Sequence, residues 1–211
     1  MIPSREEWMA ALRERHGAEL AEKFGQTTVA VCGLGGLGSN IAISLARAGV
    51  GKLILIDFDE VDITNLHRQQ YKANQIGIPK PLAICENLSE IAPYVETVPI
   101  IAKVTEENLE ELLGEADIIC EAFDKAEAKA MLVNGVLEKF PDKYLVSGSG
   151  MAGIGSPNMI KTRKVMKKFY LSGDEVSDVA MAIGLVAPRV MLCAAHEALT
   201  VLRIIAGEFD V

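Results

Sequence analysis

The chain has 211 residues, half of them hydrophobic, which is enough for one sizeable core and too few for two ordinary domains. Its formal net charge of −8 excludes a general electrostatic footprint for nucleic acid or an anionic membrane. The apolar runs all fall short of a membrane span, and the charged opening residues lack the apolar core of a signal peptide.

In chain order, residues 5–24 set Trp8, Leu12 and Leu20 among many charges, which predicts one amphipathic helix packed as an N-terminal arm over residues 1–25. "TTVAVCG" reads as a buried strand, "SNIAISLARAGVG" as a helix stopped by Gly49 and Gly51, and "KLILIDFD" as a second buried strand. Together they predict a βαβ unit. "IPKPLAICENLSEIAP" predicts a helix, residues 95–102 a strand, and "TEENLEELLGEA" a helix capped by Thr105 and ended by Gly114. "DIICEAFD" reads as a buried strand ending in an acid, "KAEAKAMLVNGVLEKF" as a helix and "KYLVSGSG" as a further strand.

After Gly148, "NMIKTR" and "KKFYLS" predict an antiparallel hairpin around a basic turn, and "APRVMLCAAHEALTVLRIIAG" a long helix buried rather than membrane-spanning. The basic residues between 161 and 168 read as a solvated hairpin edge. The expected fold is α/β: a single domain over residues 1–211, a Rossmann-like, mostly parallel sheet with a C-terminal antiparallel addition and an N-terminal helical arm. Cys32, Cys85, Cys120 and Cys193 form no C-x-x-C pair, and three of them sit in apolar runs such as "VAVC" and "DIIC" that read as buried strands. They are expected to be core thiols of a cytoplasmic protein.

Gly33, Gly35 and Gly38 fit G-x-G-x-x-G between a strand and a helix, where bare backbone N–H groups and the helix dipole receive a phosphate. Asp57 closes the next strand, the place of a ribose-binding acid. Loop and acid alone favour an NAD-dependent oxidoreductase. The stretch "DFDEVDITNLHRQQY" shifts that balance, because Asn65, Arg68 and Gln69 put an amide and a guanidinium beside the loop, and Lys80 adds a second cation. Asp124 is read as the end of a third strand at the same sheet edge. Two cations and an edge carboxylate suit a triphosphate and its metal better than a nicotinamide.

"GLGGLGS", "DFDEVDITNLHRQQY", "IGIPK", "EAFDKAEAK" and "GMAG" together resemble the ThiF/MoeB branch of the ubiquitin-activating superfamily, and the likeness to short ThiF-type adenylyltransferases of thiamine biosynthesis covers nearly the whole chain. The resemblance implies ATP-dependent adenylation of the terminal glycine carboxylate of a small ubiquitin-like sulfur carrier protein ending in Gly-Gly, with release of pyrophosphate. It implies that Gly33, Gly35, Gly36 and Gly38 form the nucleotide loop, that Asp57 binds ribose, and that Asn65, Arg68, Gln69 and Lys80 contact phosphates. Asp124 would be the acid associated with Mg²⁺.

The family also implies a homodimer in which an arginine of the partner's N-terminal helix completes the site, with Arg13 and Arg15 as the candidates. Two departures matter. Many relatives carry paired C-x-x-C motifs, missing here, so no zinc is expected. Many also carry an acceptor cysteine in a longer C-terminal segment, whereas Cys193 reads as a core thiol. Besides the oxidoreductase, a non-catalytic nucleotide-binding subunit is the remaining alternative.

Overall fold

In the computed structural model, residues 2–180 and 183–210 are described. The arm is two helices where one was expected, α1 (Arg5–His16) and α2 (Ala18–Gln26). Ser4 and Glu7 form a reciprocal capping box that starts α1. Gly17 then breaks it with a φ of 85° that other residues rarely adopt. The break lets α2 bury Ala21 and Phe24, while α1 buries no residue completely.

The remaining elements alternate as the apolar pattern requires: β1 (Thr28–Cys32), α3 (Gly36–Ala48), β2 (Lys52–Asp57), α4 (Lys80–Ile91), β3 (Glu96–Ile101), α5 (Leu109–Leu113), β4 (Ile118–Glu121), α6 (Ala126–Lys139), β5 (Tyr144–Gly148), β6 (Lys161–Met166), β7 (Phe169–Gly173) and α7 (Ala187–Ala206). α5 is shorter than expected. The Asn108 side chain accepts from the Thr105 N–H at 2.8 Å, closing a separate turn before the helix begins, so Thr105 is no helix cap. No helix among the described residues is long and apolar enough to cross a membrane.

The strands form one sheet in the order β3-β2-β1-β4-β5-β7-β6, parallel throughout except for β6 against β7. Side chains alternate across it. Val29, Val31, Leu53 and Leu55 pack with Ile41, Leu45, Ile84, Leu88, Val190 and Val201 of α3, α4 and α7. Ala30, Cys32, Ile54 and Ile56 pack on the other face with Leu109, Leu113, Leu132 and Val136 of α5 and α6. Pro99 is tolerated because β3 is an edge strand paired on one side only.

β1 lies between β2, which follows it in the chain, and β4, to which the chain returns later. Strand order reverses there, and the crevice outside the carboxyl ends of β1 and β4 is where ligands of open parallel sheets collect. The glycine loop leaves β1 at that point.

Candidate active site

The loop holds its shape by close backbone contact. Gly33 has φ 91°, and a Cβ there would stand 2.8 Å from the carbonyl oxygen of Ala122, just past the end of β4 across the crevice. A Cβ on Gly38 would overlap the Gly33 carbonyl oxygen. These two glycines serve the protein's own packing. Gly35 differs, since a Cβ there would meet nothing nearer than Gln69 Nε2 at 3.8 Å. Its missing side chain leaves room in the cavity, at the N-terminus of α3.

Asp57 ends β2, and its carboxylate accepts from the Leu34 N–H at 2.6 Å and the Asp59 N–H at 2.9 Å. It braces the glycine loop from below. Beyond it, Asn65 closes a 3-10 turn over Ile63–Asn65, and the Arg68 guanidinium donates to the Thr64 carbonyl at 2.9 Å. Arg68 Nε and Gln69 Oε1 are buried without a hydrogen-bond partner among the described residues. A donor and an acceptor left unmet beside an open cavity fit a polar ligand that would satisfy them. Lys80 starts α4 almost buried, its ammonium held by Asp59 at 3.0 Å.

A polar network ties this segment to the loop, and its members were not singled out from the sequence. Asn40 donates to the carbonyls of Gly36 at 2.7 Å and Arg68 at 3.3 Å, and accepts from the Gln70 side chain at 2.7 Å. Ser39 Oγ receives the Gln70 N–H at 3.1 Å, and Asn87 donates to the Gln70 carbonyl at 2.8 Å. The available signals were the Ser-Asn pair directly after the last loop glycine and an asparagine in mid-helix, where its polar group needs a partner.

On the far wall, one expectation is corrected. β4 ends at Glu121, not at Asp124, because the last residue to pair with β1 is Glu121, opposite Cys32. Glu121 is fully buried, whereas Asp124 stands in the exposed turn before α6. Nearby, burial pushes the Glu197 carboxyl well above its ordinary value, with the Glu121 charge adding to the rise and Lys129 opposing it.

Gly33, Gly35, Gly36, Asp57, Asn65, Arg68, Gln69, Lys80 and Asp124 all line one cavity of about 1060 Å³, roomy for a small-molecule site by the usual range of about 300–1,000 Å³. Residues 148–152 and 177–179 close its far side. Gly38 lies beneath the loop rather than in the cavity, and Arg15 points away, its side chain 80% exposed beside Glu14. A smaller cavity of about 420 Å³ lies along β6 and β7. Its Arg163 and Glu175 are already paired with each other at 2.6 Å.

Of the runs read as buried strands, those holding Cys32 and Cys120 are strands, while Cys85 and Cys193 lie on α4 and α7. Burial raises the pKa of all four thiols above the ordinary cysteine value. A reactive thiolate needs the opposite shift.

A glycine loop, a strand-end acid and two cations gathered where strand order reverses define an open α/β protein with a candidate nucleotide site in its crevice. The chain belongs to the ThiF family, which it matches over residues 9–210, and with its relatives to the ThiF/MoeB branch of the ubiquitin-activating superfamily. It is 34% identical over 153 residues to the tRNA threonylcarbamoyladenosine dehydratase of Bacillus subtilis, covering 72% of this chain and 59% of that protein. It is 32% identical over 142 residues to the sulfur carrier protein adenylyltransferase of Thermus thermophilus, covering 67% of this chain and 47% of that protein. The chain therefore spans about half the length of these relatives. The crystal structure of an E. coli tRNA N6-threonylcarbamoyladenosine dehydratase in complex with ATP shares the fold, with a TM-score of 0.87 at 20% identity over 99% of this chain and 98% of that one.

Proposed function

We propose that the chain is an ATP-dependent adenylyltransferase that activates the C-terminal glycine carboxylate of a small ubiquitin-like sulfur carrier protein. The observation that carries this reading is the convergence of Arg68, Lys80 and Asp124 on the cavity of the glycine loop. A hydride-transfer site requires none of the three, and a scaffold that only holds a nucleotide gives no reason for the full set.

The reaction joins a carboxylate oxygen of the carrier to the α-phosphorus of ATP and breaks the bond from that phosphorus to the α–β bridging oxygen. Pyrophosphate leaves with the bonding pair, so no protein nucleophile or base is required. The protein's task is to hold two anions in line and offset their charge. The glycine-loop amides and the N-terminus of α3 receive phosphate oxygens, Asp57 binds the ribose, and Arg68 and Lys80 neutralise the departing pyrophosphate. Asn65 and Gln69 add amide contacts. Among the described residues no group of three or more His, Cys, Asp or Glu is arranged to hold a metal, so Mg²⁺ would be held largely by phosphate oxygens with Asp124 as the protein ligand. When bound it supplies further charge neutralisation.

The chemistry of the mouth supports a protein as the second substrate. On one side of the cavity, residues 150–152 and 177–179 carry no lysine or arginine, and Val179 is exposed. A wall without cations on this side suits a protein tail better than the phosphates of RNA. A second reading, activation of a carboxylate borne on a modified tRNA, is favoured by the likeness to the Bacillus dehydratase.

Exchange of labelled pyrophosphate into ATP separates these readings. Exchange should depend on a carrier ending in Gly-Gly, and NAD should compete poorly with ATP. Exchange driven only by threonylcarbamoylated tRNA would establish the second reading, and tight NAD binding without exchange would establish the oxidoreductase.

A further inference from the structure

We infer that Glu121 is a positioning residue for Asp124, clamping both flanks of the turn that carries it; this rests on the adenylation reading given above. Glu121 has no exposed surface. Its Oε1 accepts from the Phe123 N–H at 2.8 Å, before Asp124, and its Oε2 accepts from Lys129 Nζ at 2.7 Å, one turn into α6. Ser147 on the neighbouring strand donates to the same Oε2 at 2.5 Å, fixing the carboxylate against the sheet.

Asp124 sits between these anchors, and among the described residues its own carboxylate makes no hydrogen bond. Its placement is therefore set by the backbone of its turn, and that backbone is set by Glu121. A buried ion pair contributes little net stability against a well-packed apolar replacement, so the value of this one is geometric. Glu197 packs nearby, its carboxyl pushed above its ordinary value by burial. The carboxylate that pairs with Lys129 is Glu121, at 2.7 Å. Lys129 also lines the cavity, which places the clamp within reach of a bound ligand's charge.

The decisive variant is Glu121→Gln, which keeps the shape and the acceptor for Phe123 but turns an amide NH₂ toward two donors, Lys129 and Ser147. It should bind ATP within about threefold of wild type and lose carrier-dependent pyrophosphate exchange by about 10- to 100-fold through kcat, with the carrier KM unchanged. Added to Asp124→Asn it should cost less than about twofold more, because the two act through one carboxylate. A full multiplicative loss in that background, or normal exchange in the single variant, would overturn the assignment.

A readout independent of activity is hydrogen exchange at the amides of residues 123–126, which should quicken in Glu121→Gln while β1 and β5 stay protected. Unchanged protection there would also overturn it, even if no carrier supported exchange by the wild type. If Glu121→Gln does not accumulate as folded protein, Lys129→Gln breaks the same clamp from its partly exposed end, and the hydrogen-exchange outcome alone is read from it, because Lys129 itself lines the cavity.

Discussion

Asp124 and Glu197 are both carboxylates near the cavity, yet one is exposed and the other fully buried, which gives them separate tests. Asp124 is exposed in its turn, so Asp124→Asn keeps the shape of the site and removes a charge. ATP should still bind, with affinity reduced a few-fold, while pyrophosphate exchange falls by about 100-fold, the scale expected when transition-state charge stabilisation is lost. Near-normal exchange would reduce Asp124 to a turn residue. Glu197 is fully buried on α7, with one oxygen unpartnered among the described residues, and its carboxyl is held well above 4.5, chiefly by burial. Its folded pKa exceeds its unfolded one, so the stability it contributes is complete below about pH 4.5 and is lost as pH rises through the folded value, at about 1.4 kcal/mol per pH unit. Glu197→Gln removes that titration. Its melting temperature should fall less than that of wild type as the pH is raised from about 4.5 upward. Parallel melting profiles for the two proteins would show that the group does not titrate as described.

At the scale of elements, the glycine loop combines packing glycines with a ligand-facing one, and paired substitutions separate them. Gly38→Ala forces a methyl group into the Gly33 carbonyl and should destabilise the fold by about 1–3 kcal/mol, read by denaturant unfolding. Gly35→Ala meets open space and should melt as wild type does while binding ATP at least about tenfold more weakly, its methyl group occupying phosphate space. The reverse pattern would mean that the loop receives no phosphate. The βαβ unit was legible because strands buried on both faces read as continuous apolar runs, and because Gly33, Gly35 and Gly38 fall between one such run and a helix. The break at Gly17 was not, since α1 and α2 carry similar charge and only tertiary packing distinguishes the helix that buries Phe24. "EAFD" offers two acids, and which one ends the strand depends on the register of β4 against β1, a pairing distant in sequence. Asn40 and Asn87 were legible only as polar residues in need of a partner, and Gln70 not at all, because each partner is supplied by another element.

For the whole molecule, the arm is the open question that a functional assay decides. Arg13 and Arg15 occupy the last turn of α1 and do not line the cavity formed by their own chain. We propose that one of them enters the site of a second copy. Mixing Arg13→Ala or Arg15→Ala protein with Lys80→Ala protein should then restore up to about a quarter of wild-type exchange, the yield of random pairing in a dimer with one repaired site per mixed pair. A monomer by light scattering at assay concentration, or no recovery on mixing, would remove both arginines from the mechanism.

The central claim is that the cavity joins a carrier carboxylate to the α-phosphate of ATP, and intact-mass spectrometry of the carrier tests it most directly. A Gly-Gly-ended carrier incubated with the enzyme, ATP and Mg²⁺ should gain the mass of one adenylyl group at its C-terminus, with one pyrophosphate released for each. The product should be lost with Lys80→Ala and retained when Cys85, Cys120 and Cys193 are replaced. A carrier that stays unmodified while the enzyme consumes ATP on a threonylcarbamoylated tRNA would contradict the claim.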